Sequence, residues 1–188
     1  MTDERPDPLK SRLLALSEEI VDLSDRLDKA EAGSDDRLAH TCVKRLRAIG
    51  DELVDHLEQA GGDDLAFAQF MMGSVCSLLG FWKQAESSYR RALETWPGHV
   101  GLLNELFDAL VAQRKYDDAE PVIRESIRHG GETPLILRNL AAVLVHLKRI
   151  NEAKLVMINC TARFPDDLES RSFLKQLDSP ATSKKPIP

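Results

Sequence analysis

The sequence predicts an all-α chain of helical hairpins stacked one on the next, and three observations predict it. Long stretches rich in Leu, Ala, Glu, Arg and Lys, interrupted by only nine prolines and ten glycines, favour helix over strand. The chain also matches itself at a fixed period: GFWKQAESSY is followed 34 residues later by RKYDDAEPVI, and 34 after that by KRINEAKLVM, without a gap. Ahead of these units, apolar residues recur at alternating three- and four-residue steps, the spacing of a helix face.

The first helix is expected to open with Asp7 as cap and Pro8 as first residue, and to carry Leu9, Leu13, Leu16, Ile20, Leu23 and Leu27 on one stripe. AGSDD then breaks the pattern, with Gly33 as the stop and Ser34 as the next cap. Leu38, Cys42, Leu46, Ile49, Leu53 and Leu57 continue on a second helix as far as GGDD. Two helices of similar length joined by a short turn read as an antiparallel, coiled-coil-like hairpin over residues 1–65. Gly50 costs about 1 kcal/mol inside a helix and marks either a bend or a close contact. Leu14, Val21, Val43 and Val54 fall off the main stripe and need another cover, so a homodimer through residues 8–60 is one expectation; the first repeat of the same chain is the other candidate cover.

The repeating part runs from 66 to 178. Its units are 66–99, 100–133 and 134–167, and LESRSFLKQL follows as a capping helix with Leu168, Phe173, Leu174 and Leu177 on its apolar side. Equivalent first-helix places hold Met72, Leu106 and Leu140, then Gly73, Phe107 and Ala141, then Cys76, Leu110 and Leu144. Second-helix places hold Trp82, Tyr116 and Ile150, then Ala85, Ala119 and Ala153, then Tyr89, Ile123 and Met157, with Pro97, Gly131 and Pro165 near the unit ends. The recurring alanine allows two antiparallel helices to approach while the larger residue four places on fills the space beside it. Asp117 and Asn151 are expected as N-caps, with Pro121 in a first turn where amides lack helical partners. The tail SPATSKKPIP, 179–188, is expected to be disordered.

Period and pattern together resemble the tetratricopeptide repeat, over about 102 of the 188 residues. The chain departs from that pattern at Gln69, Leu103 and Leu137, where the family favours tryptophan, and at Phe107, where it favours a small residue. The resemblance implies a TPR α-solenoid whose first helices line a concave groove that binds a peptide or helical segment of a partner protein. It selects Phe67, Phe70, Met71, Ser74 and Leu78, then Asn104, Asp108 and Val111, then Arg138, Asn139 and His146 as groove candidates. Because the first set is apolar, a partner is expected to anchor through hydrophobic side chains. Some family members clamp the terminal carboxylates of chaperones with cationic groups. At the matching places this chain has Phe70, Ser74, Glu105, Leu135 and Asn139, so that clamp is missing.

Two other functions are in view. Three such repeats behind a helical N-terminal region also resemble the acidic cytosolic chaperones of type III secretion translocators. Alternatively the chain is an oligomeric structural scaffold with its groove filled internally.

The rest of the sequence narrows the classes. Cys42, Cys76 and Cys160 form no CxxC pair and suit a reducing compartment as buried apolar groups. The five histidines lack HxxxH or HExxH spacing, so neither a metal nor a cofactor is expected. Asp63 with Asp64, and Asp117 with Asp118, stand at helix starts, where carboxylates complement the helix dipole, and no nucleophile or phosphate-loop signature occurs. A non-enzyme is expected. Of the net charge of −6, residues 1–65 hold 17 acidic against 9 basic groups, and no basic stripe interleaved with aromatics appears, which disfavours nucleic acid. The opening MTDERPDP has no signal-peptide layout and no apolar run nears the roughly 20 residues of a membrane span. A cytoplasmic protein without membrane insertion is expected.

Overall fold

The computed structural model describes residues 7–178; the expected disordered tail lies outside them. Among the described residues there are helices and no strands: α1 (Pro8–Gly33), α2 (Asp36–Gln59), α3 (Gly62–Leu78), α4 (Trp82–Thr95), α5 (Val100–Ala112), α6 (Tyr116–Gly130), α7 (Pro134–His146), α8 (Ile150–Arg163) and α9 (Leu168–Asp178). They form two compact units, one ending at Pro97 and one starting at Gly98.

In the first unit α1 opens as its sequence dictates, with Asp7 Oδ1 accepting from Leu9 N at 3.0 Å. The second cap is displaced by one residue. α1 runs through Gly33, expected as the stop, and Ser34, expected as the cap, closes it instead in a left-handed conformation (φ 53°), so that Asp35 caps α2 by accepting from Leu38 N at 3.0 Å. The heptad stripe is buried: Leu13, Leu16, Ile20 and Leu23 of α1 and Cys42, Leu46, Ile49 and Leu53 of α2 share one core with Ala68, Met71 and Val75 of α3. Hydrophobic burial at roughly 25 cal/mol per Å² makes this shared stripe the main attraction holding α3 to the hairpin. On the hairpin surface Arg45 donates to both Glu19 carboxylate oxygens (2.5 and 2.6 Å), and Arg12 binds Glu52 in the same forked way, so α1 and α2 are cross-tied in one register.

α3 is apolar all round, as a helix buried on both sides must be. Its second face carries Gly73, over which the fully buried Tyr89 ring of α4 lies; a Cβ there would come within 2.4 Å of the ring. Glycine is required at this place by packing. Gly50, in contrast, would bring a Cβ no nearer than 3.6 Å to Val75 and does not mark a tight contact. Trp96 Nε1 donates to Asp63 at 2.9 Å and ties the end of α4 to the start of α3.

The second unit repeats the hairpin twice. Ala119 and Ala153, like Ala85 in the first unit, are wholly buried, as are Ile123 and Met157 four places on. The bulky Phe107 is nonetheless buried, and the second-helix place held by Tyr89 in the first repeat holds the smaller Ile123 in the second.

The expected caps at Asp117 and Asn151 are corrected. α6 and α8 start two residues earlier than those caps require, at Tyr116 and Ile150, and the flanking residues Lys115 and Arg149 make no side-chain cap. Pro121 is therefore the sixth residue of α6 and stands past its first turn; it removes one amide donor near the helix start. His99 and Thr133, not singled out from sequence, cap α5 and α7 by accepting from Leu102 N (3.1 Å) and Ile136 N (3.3 Å).

The turns between the two helices of each repeat share one geometry. Gly80, Arg114 and Lys148, spaced by 34, all have positive φ (76°, 59° and 66°). Their amides donate three residues back, to Ser77, Val111 and Val145 (2.9, 2.8 and 3.0 Å), and the following amides donate to Cys76, Leu110 and Leu144 (2.7, 2.9 and 2.8 Å). This closure satisfies the last helical carbonyls but imposes a left-handed residue, which costs a non-glycine side chain about 1 kcal/mol.

α9 covers the end of the second unit, with Ser170 and Leu177 buried and Phe173 and Leu174 partly so; Leu168, expected on its apolar side, is 72% exposed. Asp167, just ahead of the helix, caps it by accepting from Ser170 N at 2.8 Å.

Candidate functional site

The eleven groove candidates divide between the two units and meet different fates. In the first unit, Met71 is 2% exposed inside the core shared with α1 and α2, and Phe67 and Leu78 are half-buried against the same core. Phe70 sits with its ring centroid 6.2 Å from that of Tyr89, and Ser74 donates back to the Phe70 carbonyl at 3.2 Å. The apolar side chains that suggested a hydrophobic anchor for a partner are thus largely engaged by the chain's own N-terminal hairpin.

In the second unit every candidate but Val111 is polar. Asn104 of α5 accepts at 2.7 Å from Ser126, a hydroxyl with no exposure that has to find its partner inside the hairpin. Arg138 of α7 is spent on α9: it donates to Asp167 and Glu169 at 2.6 Å each and lies 3.3 Å from Ser170 Oγ. Ser170 Oγ in turn meets the buried Cys160 thiol at 3.2 Å. The Asp167 carboxyl is held below the usual range, first by the Ser170 hydroxyl, then by its amide and by Arg138. His146, at the end of α7, stacks flat on Tyr116, with centroids 4.1 Å apart and planes within 3°. Burial, then Lys148 and Arg114, push its pKa down.

Asp108, Val111 and Asn139 remain. Val111 and Asn139 are half-buried, and Asp108 is exposed along one side. Its carboxyl is nevertheless pushed up to about 6, first by burial of its other flank and then by Glu105. A carboxyl so placed is half-protonated only near pH 6 and is mostly ionised at neutrality, where it chiefly accepts hydrogen bonds; its protonated fraction, able to donate as well, grows as pH falls. The position of Asp108 was legible from the repeat register. The partial burial that shifts its carboxyl is a product of packing and had no sequence signal.

Elsewhere, Cys42, Cys76 and Cys160 are buried free thiols, and burial pushes the Cys76 thiol up. Among the described residues no three His, Cys, Asp or Glu side chains converge as a metal site, and no helix is long and apolar enough to cross a membrane. Of the off-stripe apolar residues, Leu14, Val21 and Val54 are 50%, 63% and 49% exposed, while Val43 is half-buried.

No protein-family model matches the chain, and no curated protein does. Solved structures do. The MamA RS-1 ArsTM double mutant is 14% identical, with 76% of this chain and 80% of that chain covered at a TM-score of 0.64. YrrB, described as a TPR protein with an unusual peptide-binding site, is 14% identical over 91% of this chain and 82% of its own, at 0.63. TTC0263, a thermophilic TPR protein of Thermus thermophilus, is 17% identical over 90% and 95%, at 0.54. At such identities the likeness speaks for backbone architecture, which agrees with the 34-residue register and the buried alanines: the chain has the all-α helical-repeat fold of the tetratricopeptide-repeat proteins.

Proposed function

We propose that the chain is a non-enzymatic adaptor that holds a peptide or helical segment of a partner protein against α5 and α7. The observation that carries this reading is the division of the candidates: Phe67, Met71 and Leu78 of α3 are packed against α1 and α2 and Phe70 against Tyr89, whereas Asp108, Val111 and Asn139 keep solvent access on first helices of consecutive repeats. The likeness to YrrB, a protein described by its peptide-binding site, supports a peptide as the ligand class. Contacts on this face are polar, so hydrogen bonds dominate recognition in place of the hydrophobic anchoring that the apolar residues of α3 suggested.

The test is capture from native lysate on the immobilised full chain, read by mass spectrometry, with Asp108→Arg and Asn139→Arg as variants. Both side chains have solvent access, so the fold should survive, and a specific partner should be lost from both. Retention of every captured protein by both variants refutes the reading.

A second reading rests on the exposed Leu14, Val21 and Val54: a homodimer through residues 8–60, as a scaffold would need. The main heptad stripe is covered within the chain, so only this secondary strip remains for the purpose. Light scattering on the parent and on Leu14→Ser/Val21→Ser separates the cases. A dimer that the variant dissolves supports the scaffold, and a monomeric parent removes it.

A further inference from the structure

The left-handed turn residue of each repeat is glycine at place 80 but a cation at places 114 and 148. Left-handed backbone favours Gly, and after it Asn or Asp; Arg and Lys gain nothing there from local hydrogen bonding. Both side chains are exposed, and among the described residues neither is paired with a carboxylate. The adjoining Arg149, by contrast, is bound to Glu152 at 2.6 Å and to Glu120. Arg114 stands two residues before Tyr116 and Lys148 two after His146, so the turns that carry them meet where those two rings stack with centroids 4.1 Å apart.

A cation after a helix C-terminus complements the dipole, but the preceding turn offers places with ordinary φ for that purpose, such as Gln113 and Leu147. Two cations, unpaired, convergent and held in an unfavourable backbone conformation, fit a binding role at the expense of stability.

We propose that Arg114 and Lys148, flanking the Tyr116–His146 stack, form a docking edge for an acidic segment of a partner protein. Two unneutralised cations with an aromatic platform between them complement carboxylate side chains a few residues apart on an extended peptide. His146 shares α7 with Asn139, but the edge is tested through Arg114 and Lys148 alone, with Asp108 and Asn139 unchanged, so the proposal can fail or stand apart from the groove reading.

The experiment is fluorescence anisotropy of a labelled octaglutamate peptide against the full chain at low salt. The key variant, Arg114→Gly/Lys148→Gly, installs the residue already present at place 80. Relieved of two strained left-handed side chains, it should melt no lower than the parent, and it should weaken binding at least tenfold. A control, Lys10→Gln/Arg37→Gln, removes the same charge from exposed places on α1 and α2 and should change affinity less than twofold. NMR signals of the His146 ring should move on peptide addition in the parent only.

No binding by the parent, or equal loss in the control, overturns the proposal. Complete competition by millimolar inorganic phosphate reduces the edge to a small-anion site and also overturns it. Self-association abolished by the glycine pair would assign the edge to a second copy and overturn it too.

Discussion

Gly50→Ala and Gly73→Ala are one substitution made inside two neighbouring helices, and the structure gives them opposite signs. Intrinsic helix preference favours alanine by about 1 kcal/mol at either place. At Gly50 the new methyl would meet Val75 Cγ1 at 3.6 Å, an ordinary contact, so most of that gain should survive. At Gly73 it would lie 2.4, 2.5 and 2.9 Å from three atoms of the Tyr89 ring, which has no exposure and so no open side to retreat into. Overpacking of this kind costs about 1–3 kcal/mol, and a rigid buried ring puts it at the upper end. After the helix gain is subtracted, Gly73→Ala should be about 2 kcal/mol less stable than the parent. For a chain of this length 1 kcal/mol corresponds to roughly 2–4 °C, so thermal melts followed by circular dichroism should fall by about 4–8 °C for Gly73→Ala and rise by about 1–4 °C for Gly50→Ala. Urea midpoints should move in the same directions. Gly73→Ala combined with Tyr89→Leu should show favourable coupling of about 1 kcal/mol or more, since the smaller side chain makes room. A Gly73→Ala protein as stable as the parent would refute the packing of α3 on α4 described above.

Three further outcomes follow from the ion pairs and from Asp108. Because the Asp108 carboxyl has a folded pKa of about 6, above its unfolded value, folding favours its protonated form and stability should decline as pH rises from about 4 to 6; Asp108→Asn should remove that slope and be stabilising at pH 7.5, by about 1 kcal/mol once its open side is allowed for, as urea midpoints at the two pH values will show. Glu19 and Glu52 have the opposite sign. Hydrogen bonds from Arg45 and Arg12 hold both carboxyls below the usual range, so their contribution is present above the unfolded pKa and is lost as pH falls through the folded one; Arg45→Gln should cost at most about 1 kcal/mol at pH 7 and nothing near pH 2. Arg138→Ala should leave Asp167 and Glu169 unmatched and raise hydrogen exchange across 168–178 before any other helix is affected, and uniform protection in that variant would show that Leu177 and its neighbours hold α9 unaided.

The repeat register was legible because Ala85, Ala119 and Ala153 answer to a packing constraint that recurs every 34 residues, and each proved wholly buried. The N-terminal stripe was legible for the same reason, since Leu13, Leu16, Ile20 and Leu23 can be spaced that way only to fill one seam. Helix starts were less so. Asp117 and Asn151 look like caps, yet the backbone closure at Arg114 and Lys148 delivers the chain directly into α6 and α8 and leaves those two side chains within the first turn. The candidate site was the least legible part. Nothing in the apolar character of Phe67, Met71 and Leu78 says whether a partner or the chain's own hairpin covers them, because either cover satisfies the same pattern. Arg138 and His146 likewise have their roles set by what packs beside them, the start of α9 and the ring of Tyr116.

The double-sided burial of α3 has a consequence for synthesis on the ribosome. The hairpin of α1 and α2 emerges first, with its leucine seam complete but the lid for it, Ala68, Met71 and Val75, still untranslated. α3 then arrives carrying two apolar faces at once, and its second face stays open until Tyr89 follows. The hairpin's forked ion pairs, Arg12 with Glu52 and Arg45 with Glu19, join residues that are both out of the tunnel by then and need nothing downstream. They can therefore hold the nascent hairpin in register while it waits, so that α3 is received on a preformed surface instead of collapsing onto itself.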